Sequence, residues 1–284
     1  MAVLGIHTFA IAPEWQTETM RDNCPLLKAH GVKILEIPLL RPDRFDVEGA
    51  KSFARQHDFQ LVTSLGLPGT IDLVSDMESG LAFLANAFRV TQALGGDVLS
   101  GVTYGTIGKT TGRPVTQRER DTLCRFLEAA CRKADGFGLR LGIEPCNRYE
   151  THLMNTAADA VGYVEAVGAP NLFIHLDTYH MHIEEQDFAS GFATAAPYLG
   201  YVHLSESNRG TPGRGMVNWP AAMAALTAIG YDGILTLESM NHVDPDIAGG
   251  LAIWRPVAQN PDDVLNLGIP FLRRVASAAG LSIE

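Results

Sequence analysis

The sequence predicts an α/β protein that folds as a single (β/α)8 barrel, or TIM barrel. Strand-like and helix-like segments alternate eight times along the 284 residues, and eight such units close into a barrel. The strand-like segments are almost continuously apolar, which is typical of parallel strands buried on both faces. A doubly wound open sheet is the structural alternative, but no G-x-G-x-x-G motif follows the first strand. The chain has no internal linker or low-complexity tract, so residues 1–284 are expected to form one domain.

The first four units are defined by apolar runs and by the residues that end each helix. β-rich runs predict strands at residues 3–9, 32–39, 59–67 and 97–104. Helical periodicity predicts helices at residues 14–30, 47–58, 78–94 and 116–136. Gly31 ends the first helix and Gly95-Gly96 ends the third, because glycine readily adopts the left-handed conformation found at helix ends.

The second half of the chain repeats this alternation. Strands are predicted at residues 140–145, 172–178, 201–205 and 233–238. Helices are predicted at residues 155–167, 187–196, 219–229 and 261–279, the first of them capped by Asn155. Each strand therefore precedes its own helix, as a barrel requires.

Charge and cysteine content exclude several classes of function. The formal net charge is −10 and no Lys/Arg cluster appears, so neither nucleic acid nor an anionic membrane is expected as a partner. No apolar run approaches the ~18 residues of a membrane span, and the N-terminus reads as a strand and not as a signal peptide. The four cysteines form no C-x-x-C pair and imply no disulfide framework. These features predict a cytoplasmic protein.

Four ligand-type residues close the last four predicted strands. Glu144, Asp177, His203 and Glu238 follow one another at intervals of 33, 26 and 35 residues, near the roughly 31 residues of one unit in an average barrel. The C-terminal ends of barrel strands meet at one mouth, where active sites lie. Each residue alone is compatible with a solvated loop carboxylate or a packed core histidine, but the recurrence favours a shared site.

Three carboxylates that face one another repel unless a cation lies between them. Mostly oxygen ligands with one imidazole suit Mn²⁺, Mg²⁺ or Co²⁺ better than a structural Zn²⁺. We therefore expect one divalent ion, held by the four strand-end residues. Glu150, His180 and Arg209 lie just beyond the strands and are of the types that bind sugar hydroxyls or a carbonyl oxygen.

Three further features bear on the substrate. Trp15 either stacks on a sugar face or packs in the first helix. His7 is either a substrate contact or a hydrogen-bonded core histidine. The glycine-rich segment 210–215 is interrupted by Pro212, so it reads as a plain turn and not as a phosphate cradle. An unphosphorylated substrate is therefore favoured.

The sequence resembles the D-tagatose/D-allulose (psicose) 3-epimerase family, which includes L-ribulose 3-epimerases. The resemblance is carried by Trp254-Arg255 and by the segments IEPCNRYE at 143–150, HLDTYHMHIEE at 175–185, GYVHLSESNR at 200–209, and GYDG at 230–233 leading into LES at 237–239. It covers nearly the whole chain and is most specific between residues 143 and 240.

This resemblance implies an isomerase that inverts C3 of a free ketohexose or ketopentose. It implies a Mn²⁺ ion, with Co²⁺ or Mg²⁺ as alternatives, on the four strand-end residues. Glu150, His180 and Arg209 would hold the oxygens of C1 to C3. The C3 proton is α to the C2 carbonyl, so its loss gives an enediolate that a metal on O2 and O3 stabilises. Inversion needs two bases, and Glu144 and Glu238 are assigned to them.

The sequence departs from the family at positions expected to face C4 to C6. His7 replaces a more usual aromatic residue, and Ser64 stands where some relatives have Cys. Tyr104 leads a strand-four exit that lacks a Trp, and Met240 lies where many relatives have an aromatic residue. His7, Trp15 and Ser64 are thus further candidates for substrate binding. The family also implies a homodimer or homotetramer.

Other functions remain open on the sequence alone. An aldose–ketose isomerase would use the same metal and enediolate but move the proton between C1 and C2. A polyol dehydratase is a second enzymatic alternative, and a non-catalytic sugar-binding protein is an alternative from another class. A barrel endonuclease is disfavoured by the acidic charge and by too few strand-end histidines.

Overall fold

The computed structural model describes all 284 residues and contains a closed barrel of eight parallel strands. Each strand pairs with its neighbours in sequence, and β8 closes the barrel against β1. The strands are β1 (Val3–His7), β2 (Ile34–Pro38), β3 (Gln60–Gly66), β4 (Val98–Val102), β5 (Arg140–Ile143), β6 (Leu172–Asp177), β7 (Leu199–Ser205) and β8 (Ile234–Glu238). The (β/α)8 prediction is confirmed.

Helices follow every strand and surround the barrel. They are α1 (Thr17–Ala29), α2 (Val47–His57), α3 (Met77–Leu94), α4 (Gln117–Asp135), α5 (Ala157–Val167), α6 (Thr178–Glu184), α7 (Phe188–Ala195), α8 (Trp219–Ala228), α9 (Pro245–Ala248) and α10 (Ile269–Ala278). No helix has both the length and the apolar character needed to cross a membrane.

Several helix boundaries differ from the sequence prediction, each for a local reason. Thr156, and not Asn155, caps α5, because its hydroxyl accepts the N–H of Asp159 at 3.1 Å. The helix predicted over 261–279 begins with a π-helical turn, Val264–Gly268. Pro270, the second residue after this turn, has no N–H for the carbonyl four residues earlier, so a regular α-helical hydrogen-bond pattern does not run through this position. The short helices α6 and α9 were not predicted.

The interior of the barrel changes from apolar to polar along its axis. At the N-terminal end of the strands, a small apolar cluster is formed by Ile34, Val62, Val98, Phe173 and Tyr201. The inward residues two positions further along several strands are polar, since alternate residues of a strand face the same side.

Glycine makes room for this polar layer. A Cβ atom at Gly142 would lie 2.1 Å from Ser100 Oγ and 2.6 Å from the Phe173 ring. Ser100 Oγ itself lies 3.0 Å from His175 Nδ1. The missing side chain at position 142 therefore allows a buried hydroxyl and a buried imidazole to meet inside the barrel.

The mouth of the barrel is covered on one side by the loop that follows β8 and contains α9. This loop approaches the β4 loop so closely that a Cβ atom at Gly108 would lie 2.6 Å from Gly250 Cα. It is tied to the β2 loop by Arg41, which donates to both carboxylate oxygens of Asp244 at 2.8 and 3.1 Å and also binds Asp246. A third carboxylate, Glu14 of the β1 loop, accepts from Arg41 at 2.6 Å. We call this set of ion pairs the Arg41 clasp.

Candidate active site

The four predicted strand-end ligands meet inside the mouth of the barrel. One ligand atom from each of Asp177, His203 and Glu238 lies within 4.8 Å of the other two. His203 Nδ1 is 3.4 Å from Glu238 Oε1 and 3.8 Å from Glu144 Oε1. All four side chains are buried, with at most 6% of each residue exposed. The structure thus brings together residues from four consecutive strands.

Asp177 has two different oxygens. Its Oδ1 accepts the N–H of Tyr179 at 2.8 Å and caps α6, which begins at the next residue. Its Oδ2 is buried and has no hydrogen-bond partner. The cap fixes the carboxylate so that this second oxygen is presented to the shared centre.

His203 is held by a carboxylate that the sequence analysis missed. Glu36, in the middle of β2, accepts from His203 Nε2 at 2.8 Å and from the Tyr201 hydroxyl at 2.7 Å. Tyr201 in turn contacts Thr236 at 2.6 Å. Because Nε2 donates to Glu36, Nδ1 is the ring nitrogen of His203 that is left to face the centre, where it has no hydrogen-bond partner. The feature of the sequence that could have identified Glu36 is a charged residue inside an otherwise apolar strand.

The electrostatics of the centre reflect buried like charges. Burial raises the pKa of Glu144 and of Asp177 well above the ordinary value, and the neighbouring Glu238 raises each further. Burial also opposes ionisation of Glu238, but His203 and Arg209 outweigh it and leave its pKa lowered. Burial opposes the charged form of His203, yet Glu36 and Glu238 raise its pKa well above the usual value. The cluster thus contains more buried carboxyl groups than its own cations can keep ionised.

A second group of polar side chains adjoins the centre. His180 Nδ1 accepts the backbone N–H of Asn147 at 3.0 Å, so the neutral ring carries its proton on Nε2. Burial and the nearby Arg209 lower the pKa of His180 well below its usual value, which keeps the ring neutral. His180 Nε2 lies 3.1 Å from Arg209 Nη2. Two donors therefore face one another without an acceptor between them, as expected of a site that binds an oxygen atom.

Arg209 is placed in this group by an unusual backbone. Its φ is +57°, a left-handed conformation that is uncommon for residues other than glycine. The carbonyl of Arg209 accepts from Met240 N–H at 2.9 Å and from the Ser239 hydroxyl at 3.0 Å, which fixes it to the end of β8. Its guanidinium lies over the Tyr179 ring and its Nε and Nη1 atoms have no hydrogen-bond partner. Glu150 Oε2 is likewise buried and unpartnered.

A cavity of about 350 Å³ opens from the centre towards the loops that follow β1 to β4 and β8. Glu144, His203 and Glu238 line one end of it, and His7, Ser64 and Met240 also line it. His7 Nε2 is 3.5 Å from Ser64 Oγ. Three of the four residues expected at the far end of a sugar therefore line the cavity.

Two other residues from the sequence analysis lie outside this cavity. Trp15 packs against Phe45 and Phe53, and its Nε1 donates to Thr17 Oγ1 at 3.1 Å. The Tyr104 hydroxyl donates to the carbonyl of Glu144 at 2.8 Å and is fully buried. The expectation that Tyr104 faces the far end of the cavity was wrong, because its side chain turns towards the β5 backbone.

In the glycine-rich loop after β7, the carboxylate of Glu206 accepts hydrogen bonds that an external anion could otherwise accept. Glu206 accepts from the backbone N–H groups of Gly213 and Val217, at 2.8 and 3.0 Å, and from Trp219 Nε1 at 2.8 Å. Within segment 210–215, the N–H groups of Gly210, Gly213 and Arg214 are already bonded to protein oxygens. This agrees with the turn predicted for residues 210–215.

The buried atoms of the centre suit a divalent cation. Asp177 Oδ2, His203 Nδ1 and Glu238 Oε2 are polar, buried and unpartnered, and buried polar atoms ordinarily have a partner. Oxygen-rich ligands with one imidazole favour Mn²⁺, Mg²⁺ or Co²⁺ over ions that prefer sulfur. The chemistry available is activation of a carbonyl or hydroxyl substrate beside carboxylates that accept and donate protons.

The chain is similar to sugar epimerases over nearly its whole length. The family model described as xylose isomerase-like TIM barrel matches residues 24–274. The chain is 34% identical to an L-ribulose 3-epimerase of Methylomonas sp. (strain DH-1), covering 95% of this chain and 96% of that protein. It is 35% identical to a ketose 3-epimerase of Arthrobacter globiformis, covering 89% of each. A solved D-allulose 3-epimerase from Methylomonas sp., in complex with D-allulose, is 33% identical with a TM-score of 0.90 and 96% of both chains covered.

Proposed function

We infer the function from the premise that the chain belongs to the xylose isomerase-like TIM barrel family and has ketose 3-epimerases as its relatives. We propose that it is an isomerase that epimerises a free ketose at C3 with the help of one divalent metal ion. The observation that carries the proposal is the convergence of unpartnered buried atoms from Asp177, His203 and Glu238 beside Glu144. Both the centre and the relatives favour the same reaction class.

In this proposal, Glu144, Asp177, His203 and Glu238 hold the ion, and Mn²⁺ is the expected metal. When bound, the ion supplies a positive charge that stabilises the negative oxygens formed as the C3 proton leaves. Glu150, His180 and Arg209 bind the oxygens of C1 to C3. The unpartnered donors of Arg209, the Nε2–H of His180 and the free oxygen of Glu150 support these roles.

Glu144 and Glu238 transfer the C3 proton. They come from β5 and β8, which are not adjacent in the barrel, so they approach the centre from different directions. One removes the proton from one face of the ketose and the other returns a proton to the opposite face, with the roles exchanged in the reverse reaction.

His7 and Ser64 are the polar groups next to the metal end of the cavity, so we propose that they contact the ketose beyond C3. Trp15 is not part of that contact, because it packs against Phe45 and Phe53 and does not line the cavity.

A ketose panel tests the function directly. The Mn²⁺-loaded protein is incubated with D-fructose, D-tagatose, ribulose and xylulose, and the products are separated by chromatography. We expect the C3 epimer of at least one ketose, which is allulose in the case of D-fructose. Glucose or mannose from D-fructose would instead identify an aldose–ketose isomerase. Entry of solvent deuterium at C3 of a ketose would exclude a non-catalytic sugar-binding protein.

Glu36 gives a prediction that concerns the metal and not the substrate. Glu36→Gln keeps the shape of the side chain but removes the charge that orients His203. We expect the affinity for Mn²⁺ to fall by about 10- to 100-fold, as is usual when the partner of a metal-binding histidine is lost. Calorimetric titration of metal-stripped protein measures this.

Tyr201→Phe is the matched control, because it removes the other hydrogen bond to the same Glu36 oxygen without touching His203. Its Mn²⁺ affinity should change much less than that of Glu36→Gln. Equal affinities of Glu36→Gln and the wild type would show that Glu36 does not position the histidine.

We also propose a cytoplasmic homodimer or homotetramer. The cysteines are all free, which suits a reducing compartment. Tyr149, Met216 and Trp254 lie in loops at the mouth of the barrel and are 73%, 78% and 77% exposed. Tyr, Trp and Met are enriched at contacts between proteins relative to the rest of the surface. Sedimentation velocity would reveal a monomer if this part of the proposal is wrong.

A further inference from the structure

The wall of the active-site cavity becomes apolar beyond its metal end. Past His7 and Ser64, it is lined by Phe9, Leu40, Leu67, Ile107, Ile247 and Leu251, among others. Phe9, Met240 and Leu251 form a separate apolar cluster, against which Leu40, Ile107 and Ile247 pack. The loops after β1, β2, β4 and β8 thus contribute to one continuous apolar surface.

The polar side chains in this outer part are already bonded to other protein groups. The Thr106 hydroxyl lies 3.2 Å and 3.3 Å from the carbonyl oxygens of Pro68 and Ile71. Arg41 and Asp246 belong to the Arg41 clasp and bind one another. At the inner end, His7 Nδ1 accepts the Phe9 N–H at 3.2 Å, so its Nε2 carries the hydrogen and lies 3.5 Å from Ser64 Oγ. The inner end therefore offers a hydroxyl the side chains of His7 and Ser64, whereas the polar side chains of the outer part are already engaged with protein groups.

A ketohexose has hydroxyl groups at C4, C5 and C6. If C1 to C3 lie at the metal, His7 and Ser64 are the side chains next in line, and the last carbon enters the apolar part. A hydroxyl buried there loses its hydrogen bonds to water without replacement. A methyl group in the same place buries apolar surface and loses nothing.

We propose that the preferred substrates are ketoses whose chain ends in a methyl group, that is, 6-deoxyketohexoses. This inference rests on the proposed C3 epimerisation and adds the chemical class of the substrate to it. The site is polar where the reaction occurs and apolar where the end of the chain lies, so it selects against a terminal hydroxyl.

Matched pairs of ketoses test the inference. We compare kcat/KM for C3 epimerisation of 6-deoxy-D-fructose with D-fructose, and of 6-deoxy-L-fructose with L-fructose. The members of each pair differ in one oxygen atom and share their stereochemistry. In the pair with the higher kcat/KM values, we expect kcat/KM for the deoxy sugar to exceed that for its parent ketose by about 10-fold or more. This ratio corresponds to about 1.4 kcal/mol.

The two sugars of a pair differ in ring closure in solution, and therefore in the fraction of open-chain substrate. This difference cancels when the preference of a variant is compared with that of the wild type. Ile247→Thr adds a hydroxyl to the apolar wall, and the preference for the deoxy sugar should fall several-fold relative to the wild type. Ile253→Thr is the matched control, because Ile253 packs against the same cluster but does not line the cavity. Its preference should equal that of the wild type, and a thermal melt reports the folding of each variant.

The outcomes separate the two claims. If no ketose is epimerised at C3 with Mn²⁺ present, the proposed function is wrong. If ketoses are epimerised but each pair is used equally once the open-chain fraction is accounted for, only the substrate class is wrong. An unchanged preference in folded Ile247→Thr would also overturn the substrate class, because the wall would not be the cause.

Discussion

Glu238→Gln is expected to lower kcat for C3 epimerisation by about 10³-fold, because an amide neither accepts nor donates the proton that a carboxyl group transfers. The substitution keeps the size of the side chain and one oxygen atom. The residue is 5% exposed and lies 3.4 Å from His203 Nδ1, so the change is confined to the centre. The assay is run at saturating Mn²⁺ so that weaker metal binding does not produce the loss.

Deuterium exchange distinguishes a lost base from a damaged site. In D₂O, the wild type should place deuterium at C3 starting from either epimer. Glu238→Gln should retain exchange with only the epimer whose proton Glu144 removes, and Glu144→Gln should show the opposite choice. Glu165→Gln makes the same chemical change on the surface and should behave as the wild type. Near-normal epimerisation by Glu238→Gln would disprove the two-base mechanism.

Removal of the metal ion is expected to have the second large effect, a loss of activity to below detection that added Mn²⁺ reverses. The buried carboxylates of Glu144, Asp177 and Glu238 have too few cationic partners of their own. Saturating metal should therefore also stabilise the fold, by about 4 kcal/mol at an ion concentration of roughly 1,000 times Kd. Thermal melts with and without chelator measure this stabilisation.

The stabilisation by metal should increase with pH. Burial raises the pKa of Glu144 and Asp177 in the folded, metal-free protein. In the folded protein, these groups keep protons that the unfolded chain releases above a pH of about 4. Their contribution to the free energy of unfolding is therefore lost as the pH rises through the folded-state pKa. Metal binding displaces the same protons. The increase in Tm caused by Mn²⁺ should thus be larger at pH of about 8 than at about 5.5, and an increase that falls with pH would contradict this account.

The sequence could predict the barrel and its strand ends because both follow simple periodicities. Strands buried on both faces are continuously apolar, and Asp177 and Glu238 each end one. The short helix α6 was missed because Asp177 was considered as a ligand and not also as a cap, although Asp is a favoured N-cap residue. Its Oδ1 caps α6 while its Oδ2 faces the centre.

Positions in loops and within strands were harder to predict. Trp15 and Tyr104 follow β1 and β4 in the sequence, where residues at the mouth of the barrel are expected. The direction of a side chain in an irregular segment, however, follows from tertiary packing. Tyr104 turns to the Glu144 carbonyl and Trp15 to Phe53. Glu36 was missed because it is inside a strand and not at its end, where a search for ligands begins. Its role became visible only through its bonds to His203 and Tyr201.

The polar layer inside the barrel has a consequence for protein engineering. Glu36, Ser100 and His175 occupy the volume that a structural core would fill with aliphatic side chains, and Gly142 leaves room for the Ser100 hydroxyl. Random substitutions there remove either a hydrogen bond or the space for one, so libraries aimed at heat resistance should leave the interior unchanged. Variation is better tolerated on the outer faces of the helices, where a stabilising change does not alter the shape of the catalytic chamber.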